Sequence, residues 1–151
     1  MSNIKNKIYP CVVGLGYVGL PIFNNLKKKY KVCGFDINKN RIDLLKKRID
    51  INNEFKSKDL RLQNSSYFSH NIEDALSCNF FIIAVPTPVN SKKAPDLKPL
   101  IKASKLIGKI IKKNDIVFYE STVYPGVTEK TCIPILEKIS NLKNGVDFEV
   151  G

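Results

Sequence analysis

Three glycines and one acid carry the clearest chemistry in this chain. Gly14-Leu15-Gly16-Tyr17-Val18-Gly19 follows an apolar run over residues 8–13, broken only by Pro10, and opens a helix-like stretch. About 20 residues beyond the middle glycine, Asp36 closes a second apolar run over residues 31–35. Such spacing suits the recognition of a diphosphate and its neighbouring ribose. Gly14 permits a tight turn out of a strand. Gly16 has no Cβ, so a pyrophosphate can approach the backbone, and Gly19 lets the helix pack closely on the strand. The helix N-terminus then offers unpaired N–H groups and a partial positive charge. Asp36 can accept hydrogen bonds from ribose hydroxyls and repels a 2′-phosphate, which favours NAD over NADP.

Other polar residues sit where strands end. Thr87, between Pro86 and Pro88, either contacts the ribose or pyrophosphate or belongs to a plain strand-terminating turn. Ser121 and Thr122 follow the next strand; their hydroxyls reach the nicotinamide end, hold a water, or cap a helix. Thr128 reads as a cap for the last helix. Glu120 pairs with a cation or stays solvated. Arg41 lies on a helix just beyond Asp36 and either flanks an adenine or is solvated. His70, the only histidine, has no partner in view and reads as a surface or capping residue rather than a base.

These residues need a scaffold that gathers strand ends. Apolar periodicity predicts strands at 7–13, 31–36, 67–69, 80–85, 115–120 and 148–151. Helices are expected at 17–28, 39–48, 72–77, 97–112 and 127–142, with Asp96 as the N-cap of the fourth. The polar stretch 50–66 reads as irregular, with a short helical turn near 57–62. Alternating strands and helices predict an α/β fold of Rossmann type: a doubly wound parallel sheet in a single domain. Right-handed crossovers then bring loops 14–19, 86–88 and 121–126 to one carboxyl edge.

Composition narrows the function classes. The 151 residues suit one domain with a real core, and a 43% hydrophobic, 26% charged composition is that of a soluble globular chain. No apolar run approaches the roughly 20 residues of a bilayer span. The polar start, residues 1–7, lacks a signal peptide, so the expectation is a cytoplasmic protein without a membrane partner. The net charge of +11 is spread over Lys27-Lys28-Lys29, Lys46-Lys47-Arg48, Lys92-Lys93 and Lys112-Lys113, mostly at expected helix ends flanking solvent. Aromatic residues do not interleave with them, which argues against nucleic acid as a partner. Cys11, Cys33, Cys78 and Cys132 lack metal or redox spacing, so no metal is expected; Cys11 and Cys33 read as small apolar residues on buried strands.

Val12-Val13-Gly14-Leu15-Gly16-Tyr17-Val18-Gly19-Leu20-Pro21 resembles the opening of the UDP-glucose/GDP-mannose dehydrogenase family, as do Val85-Pro86-Thr87-Pro88 and Glu120-Ser121-Thr122-Val123-Tyr124-Pro125-Gly126. The stretches 34–38, 95–100 and 119–129 resemble the branch acting on UDP-N-acetylhexosamines in Vi-antigen, capsule and O-antigen biosynthesis. The resemblance implies oxidation of a nucleotide sugar's C6 hydroxyl to a carboxylate, with two NAD reduced. It implies that Gly14, Gly16, Tyr17, Val18 and Gly19 bind the pyrophosphate and that Asp36 and Arg41 bind the adenosine part. Thr87 and Thr122 would line the cofactor, with Thr122, the one catalytic candidate, also near the reacting carbon.

The chain departs from that family by lacking its catalytic cysteine in a glycine-rich motif, its helical lysine and asparagine, and its Ser-Pro-Glu glutamate. The expectation is therefore an NAD-binding domain over 1–151, without the central helical and UDP-sugar-binding domains. Such a truncated product or fragment would bind NAD(H) weakly and be inactive alone. UDP-sugar binding and the family's homodimer would belong to the full-length protein. Other readings are a non-catalytic NAD-sensing module, another Rossmann-type dehydrogenase such as a hydroxyacid enzyme, or a basic nucleic-acid binder.

Overall fold

A computed structural model describes residues 7–89 and 94–151. Lys92 and Lys93, and residues 1–6 of the polar start, lie outside the described residues. The strands are β1 (Pro10–Val13), β2 (Cys33–Phe35), β3 (Tyr67–Ser69), β4 (Phe80–Ile83), β5 (Ile116–Tyr119) and β6 (Glu149–Val150). The helices are α1 (Gly19–Leu26), α2 (Lys39–Lys46), α3 (Lys98–Gly108) and α4 (Ile133–Ser140). All strand pairs are parallel, in the order β3-β2-β1-β4-β5-β6. This is the doubly wound order, with its topological switch between β1 and β4.

Strand periodicity builds a core on each face, because successive side chains point to opposite sides. Cys11, Val13, Cys33, Phe35, Phe81, Ile83 and Val117 face one side and pack with Leu100, Ala103 and Ile107 of α3 and Leu136 of α4. Val12, Phe68 and Ile82 face the other and pack with Leu20 and Phe23 of α1 and Ile42 and Leu45 of α2. Gly34 lies under the Phe23–Phe68 ring pair, whose centroids are 4.6 Å apart; a Cβ there would sit 2.9 Å from the Phe68 ring. Cys11 and Cys33 are buried register partners, as small apolar residues should be. No helix among the described residues is long and apolar enough to cross a membrane.

The expected elements are present, with shifted ends. β1 starts at Pro10 because the Tyr9 amide donates to Asn79 Oδ1 (2.8 Å) instead of joining a ladder. The helix expected over 72–77 is a 3₁₀ turn, Ile72–Ala75, capped by Asn71. Asp96 sits one residue ahead of the N-cap position, Leu97; its Oδ1 accepts from the Lys98 amide at 3.0 Å. The last helix begins as a π-helical turn, Thr128–Cys132. Pro134 has no N–H for the Lys130 carbonyl, so the turn ahead of it widens. Thr128 lies inside that turn and makes no cap hydrogen bond, contrary to its expected role. β5 is not a buried strand: only Val117 is fully covered, while Ile116 and Phe118 on its other face are 38% and 39% exposed. Lys27 is also buried rather than flanking solvent, its Nζ donating to the Asp59 carbonyl.

Candidate functional site

The carboxyl ends of the strands share one edge, and hydrogen bonds beyond each strand carry the sheet into its loops. The Gly14 amide donates to Phe35 O (2.8 Å), Asp36 to Ser69 O (3.1 Å), Ala84 to Val13 O (2.8 Å) and Glu120 to Ile83 O (2.9 Å). Above that edge lies a cavity of about 760 Å³, within the size range of small-molecule and cofactor sites. The three loops expected to meet do meet there. Gly14, Gly16, Tyr17, Val18, Asp36, Arg41, Thr87, Glu120, Ser121 and Thr122 all line it.

Each glycine of the loop has its own job. Gly14 turns the chain at φ +93°, a left-handed conformation that side chains rarely adopt. Around Gly16 nothing lies within 4 Å of where a Cβ would stand, so the backbone is bare toward the cavity. Gly19 is the exception among the expected ligands, because it does not line the cavity. A Cβ on it would fall 1.7 Å from the Gly14 carbonyl oxygen, so its task is close packing of α1 on the loop. Among the described residues, the amides of Gly16, Tyr17 and Val18 have no backbone acceptor. They are the open donors that a helix N-terminus presents to an anion.

Leu15, between the first two glycines, is gripped at both backbone atoms. Its amide donates to Asp36 Oδ2 at 2.9 Å. Its carbonyl accepts from Arg41 Nε at 3.0 Å and Nη2 at 2.8 Å. Asp36 also accepts from the Asn38 amide through Oδ1 (2.9 Å), and Asn38 in turn caps α2 by accepting from the Arg41 amide. The solvated reading of Arg41 is therefore wrong. The residue is only 5% exposed, and its Nη1 donates to the buried Asp50 Oδ1 at 2.8 Å. Burial alone raises the Asp50 pKa; the Arg41 guanidinium and the amides of Asn52, Phe55 and Glu54 outweigh it and hold the carboxyl below its ordinary value.

The loops after β4 and β5 are cross-tied by hydroxyls. Thr87 Oγ1 donates to the Thr122 carbonyl at 2.8 Å and lies 3.4 Å from Thr122 Oγ1. Ser121 Oγ donates to the Val85 carbonyl at 2.7 Å. Thr87 thus does more than terminate a strand, and Ser121 caps no helix. Below them, Ser104 Oγ on α3 meets the Tyr119 hydroxyl at 2.6 Å and anchors the end of β5. Glu120 is exposed at the cavity rim, and His70 is exposed away from the cavity.

Several lining residues escaped the sequence reading. Lys98 and Lys102 lie one helical turn apart on α3, beside Pro99, Ala103 and Leu106. Their i, i+4 spacing just after the Pro86–Pro88 loop was the available signal. Ile51 and Asn52 also line the cavity, from a stretch whose sequence shows no periodicity. The bare loop amides, the acid beside them and a cavity of this size together fit a dinucleotide.

Residues 8–151 match the UDP-glucose/GDP-mannose dehydrogenase family, NAD binding domain. The chain is 52% identical, over 93% of its length, to a UDP-N-acetyl-D-glucosamine 6-dehydrogenase of Pseudomonas aeruginosa, and covers 33% of that protein. It is 54% identical, over the same 93%, to Protein CapL of Staphylococcus aureus, again covering 33%. Its fold superposes with a TM-score of 0.86 on a UDP-D-ManNAc dehydrogenase from Pyrococcus horikoshii, at 31% identity over 95% of this chain and 35% of that one. The chain thus spans about a third of the length of the relatives it matches.

Proposed function

The chain belongs to the UDP-glucose/GDP-mannose dehydrogenase family as its NAD-binding domain, and from that premise we propose that it serves a cytoplasmic UDP-N-acetylhexosamine 6-dehydrogenase of surface-polysaccharide biosynthesis. NAD, when bound, supplies a hydride acceptor for oxidation at the sugar's C6. The open amides of Gly16, Tyr17 and Val18 hold the diphosphate, and Asp36 takes the adenosine ribose hydroxyls. Arg41, on the cavity lining, shapes the adenosine end. Thr87 and Thr122 would line the nicotinamide end, and Thr122 would also lie near the reacting carbon. Sugar recognition and the cysteine-dependent second oxidation belong to sequence outside these 151 residues, as does the pairing into a homodimer.

The observation that carries this reading is the bare backbone at Gly16 beside the braced Asp36 carboxylate. Titration calorimetry of the 151-residue chain should show NADH binding, with NADPH weaker by at least tenfold. Asp36→Ala should weaken NADH and narrow that gap. No heat with millimolar NADH on folded protein sinks the cofactor reading, and UDP-sugar oxidation by this chain alone sinks the assignment of the remaining chemistry elsewhere.

A further inference from the structure

We propose that Asp50, which touches no part of the expected cofactor outline, is a positioning residue that couples the two walls of the adenosine end. The proposal rests on the NAD reading above and assigns a new residue to that site.

Asp50 is fully buried at its side chain and every bond it makes is directional. Oδ1 accepts from Arg41 Nη1 at 2.8 Å and from the Asn52 amide at 3.1 Å. Oδ2 accepts from the Glu54 amide at 3.0 Å and the Phe55 amide at 3.2 Å. One carboxylate therefore folds the 50–55 turn around itself. That turn places Ile51 and Asn52 on the cavity wall. The remaining two contacts of the Arg41 guanidinium both go to the Leu15 carbonyl in the glycine loop. A rigid planar fork with fixed donor directions transmits the position of one partner to the other. The chain of contacts runs from the glycine loop through Arg41 to Asp50 and out again to Ile51 and Asn52. The distance between the two walls is set by two side chains, Arg41 on the cavity lining and Asp50 behind it.

A lone buried salt bridge is weak evidence of function, since such pairs often only replace apolar packing. This pair differs in what it holds. It ends on a cavity wall at each side, and it leaves the Leu15 amide free to brace Asp36. Asp50 should therefore govern affinity for the adenosine half of the cofactor and leave the nicotinamide half alone, because Thr87 is tied to Thr122 and Ser121 to the Val85 carbonyl, and none of these bonds belongs to this network.

The test is calorimetry of the 151-residue chain with NADH, ADP-ribose and nicotinamide mononucleotide. Asp50→Asn keeps the shape and removes the charge, and should weaken NADH and ADP-ribose by about tenfold or more. Asp50→Glu keeps the charge and moves it by one methylene. It should lie between Asp50→Asn and the unaltered chain, and it decides the question alone if Asp50→Asn does not fold. Nicotinamide mononucleotide should bind all folded forms equally. In an Arg41→Lys background the effect of the Asp50 change should largely vanish, since the relay is already cut. Equal ADP-ribose affinity in the unaltered chain and the folded variants overturns the positioning role while leaving the cofactor reading intact. An equal loss for both halves of the cofactor overturns it too. Absence of NADH binding by the unaltered chain overturns both.

Discussion

At the scale of single residues, the glycine loop separates folding from binding. Gly16 faces open space, whereas Gly19 has the Gly14 carbonyl where a Cβ would be. Gly16→Ala should leave stability within about 0.5 kcal/mol, as for a surface change, yet weaken NADH at least tenfold by placing a methyl under the diphosphate. Gly19→Ala should cost at least the ~1–3 kcal/mol of ordinary overpacking, because the obstacle is backbone and cannot swing away. Urea denaturation and NADH titration of both variants check this; the reverse ranking would dismantle the division of labour. Asp36 shows the same economy of means, since one carboxylate braces the loop and remains positioned to meet a ribose.

At the scale of elements, the connection from α2 to β3 is long and has no regular structure, so side chains must organise it. Asp50 gathers the amides of three of its residues, and the buried Lys27 reaches the Asp59 carbonyl from α1's end. Removing one partner of a buried pair costs on the order of 3–5 kcal/mol, so Asp50→Asn should be markedly destabilised. The pH dependence has a defined sign. The Asp50 pKa is lower in the folded chain than the ordinary value of about 3.9. The folded state therefore binds fewer protons, and the stabilisation is complete above about pH 4 and lost as pH falls through the depressed value. Asp115, raised by its own burial, works in the opposite direction. Thermal melts between pH 2 and 6 should thus show a steeper acid loss for the unaltered chain than for Asp50→Asn; parallel curves would remove Asp50 from the account.

At the scale of the whole molecule, the site bridges two half-sheets. β1–β3 contribute the glycine loop and Asp36, and β4–β6 contribute Thr87 and Thr122. A ligand that touches both halves and binds only the folded state should stabilise the chain as one unit. NADH at 100 times its Kd should add about 2.7 kcal/mol to the unfolding free energy, read by urea titration with and without cofactor. A gain confined to β1–β3 in hydrogen exchange would show that the second half does not take part. The uncovered apolar face at Ile116 and Phe118 marks where the double winding is incomplete: α3 and α4 both pack on the other side of β5.

The sequence alone determined the α/β class, the order of strands and helices, the glycine loop, Asp36 and the strand-end hydroxyls. These are local signals: apolar periodicity, left-handed turns and residues at fixed offsets from them. It also carried the family, through motifs that lie in order along the chain. Tertiary structure decided what depends on distant partners. Arg41 is buried because Asp50 and the Leu15 carbonyl meet it there, and no spacing rule pairs residues 41 and 50 across an irregular stretch. Thr128 lost its capping role for the same reason, being defined by what a neighbouring proline leaves room for, whereas the close packing of Gly19 was already legible in the loop's spacing. Lys98, Lys102, Ile51 and Asn52 joined the site only when folding brought α3 and the 50–55 turn to the edge where the glycine loop lies.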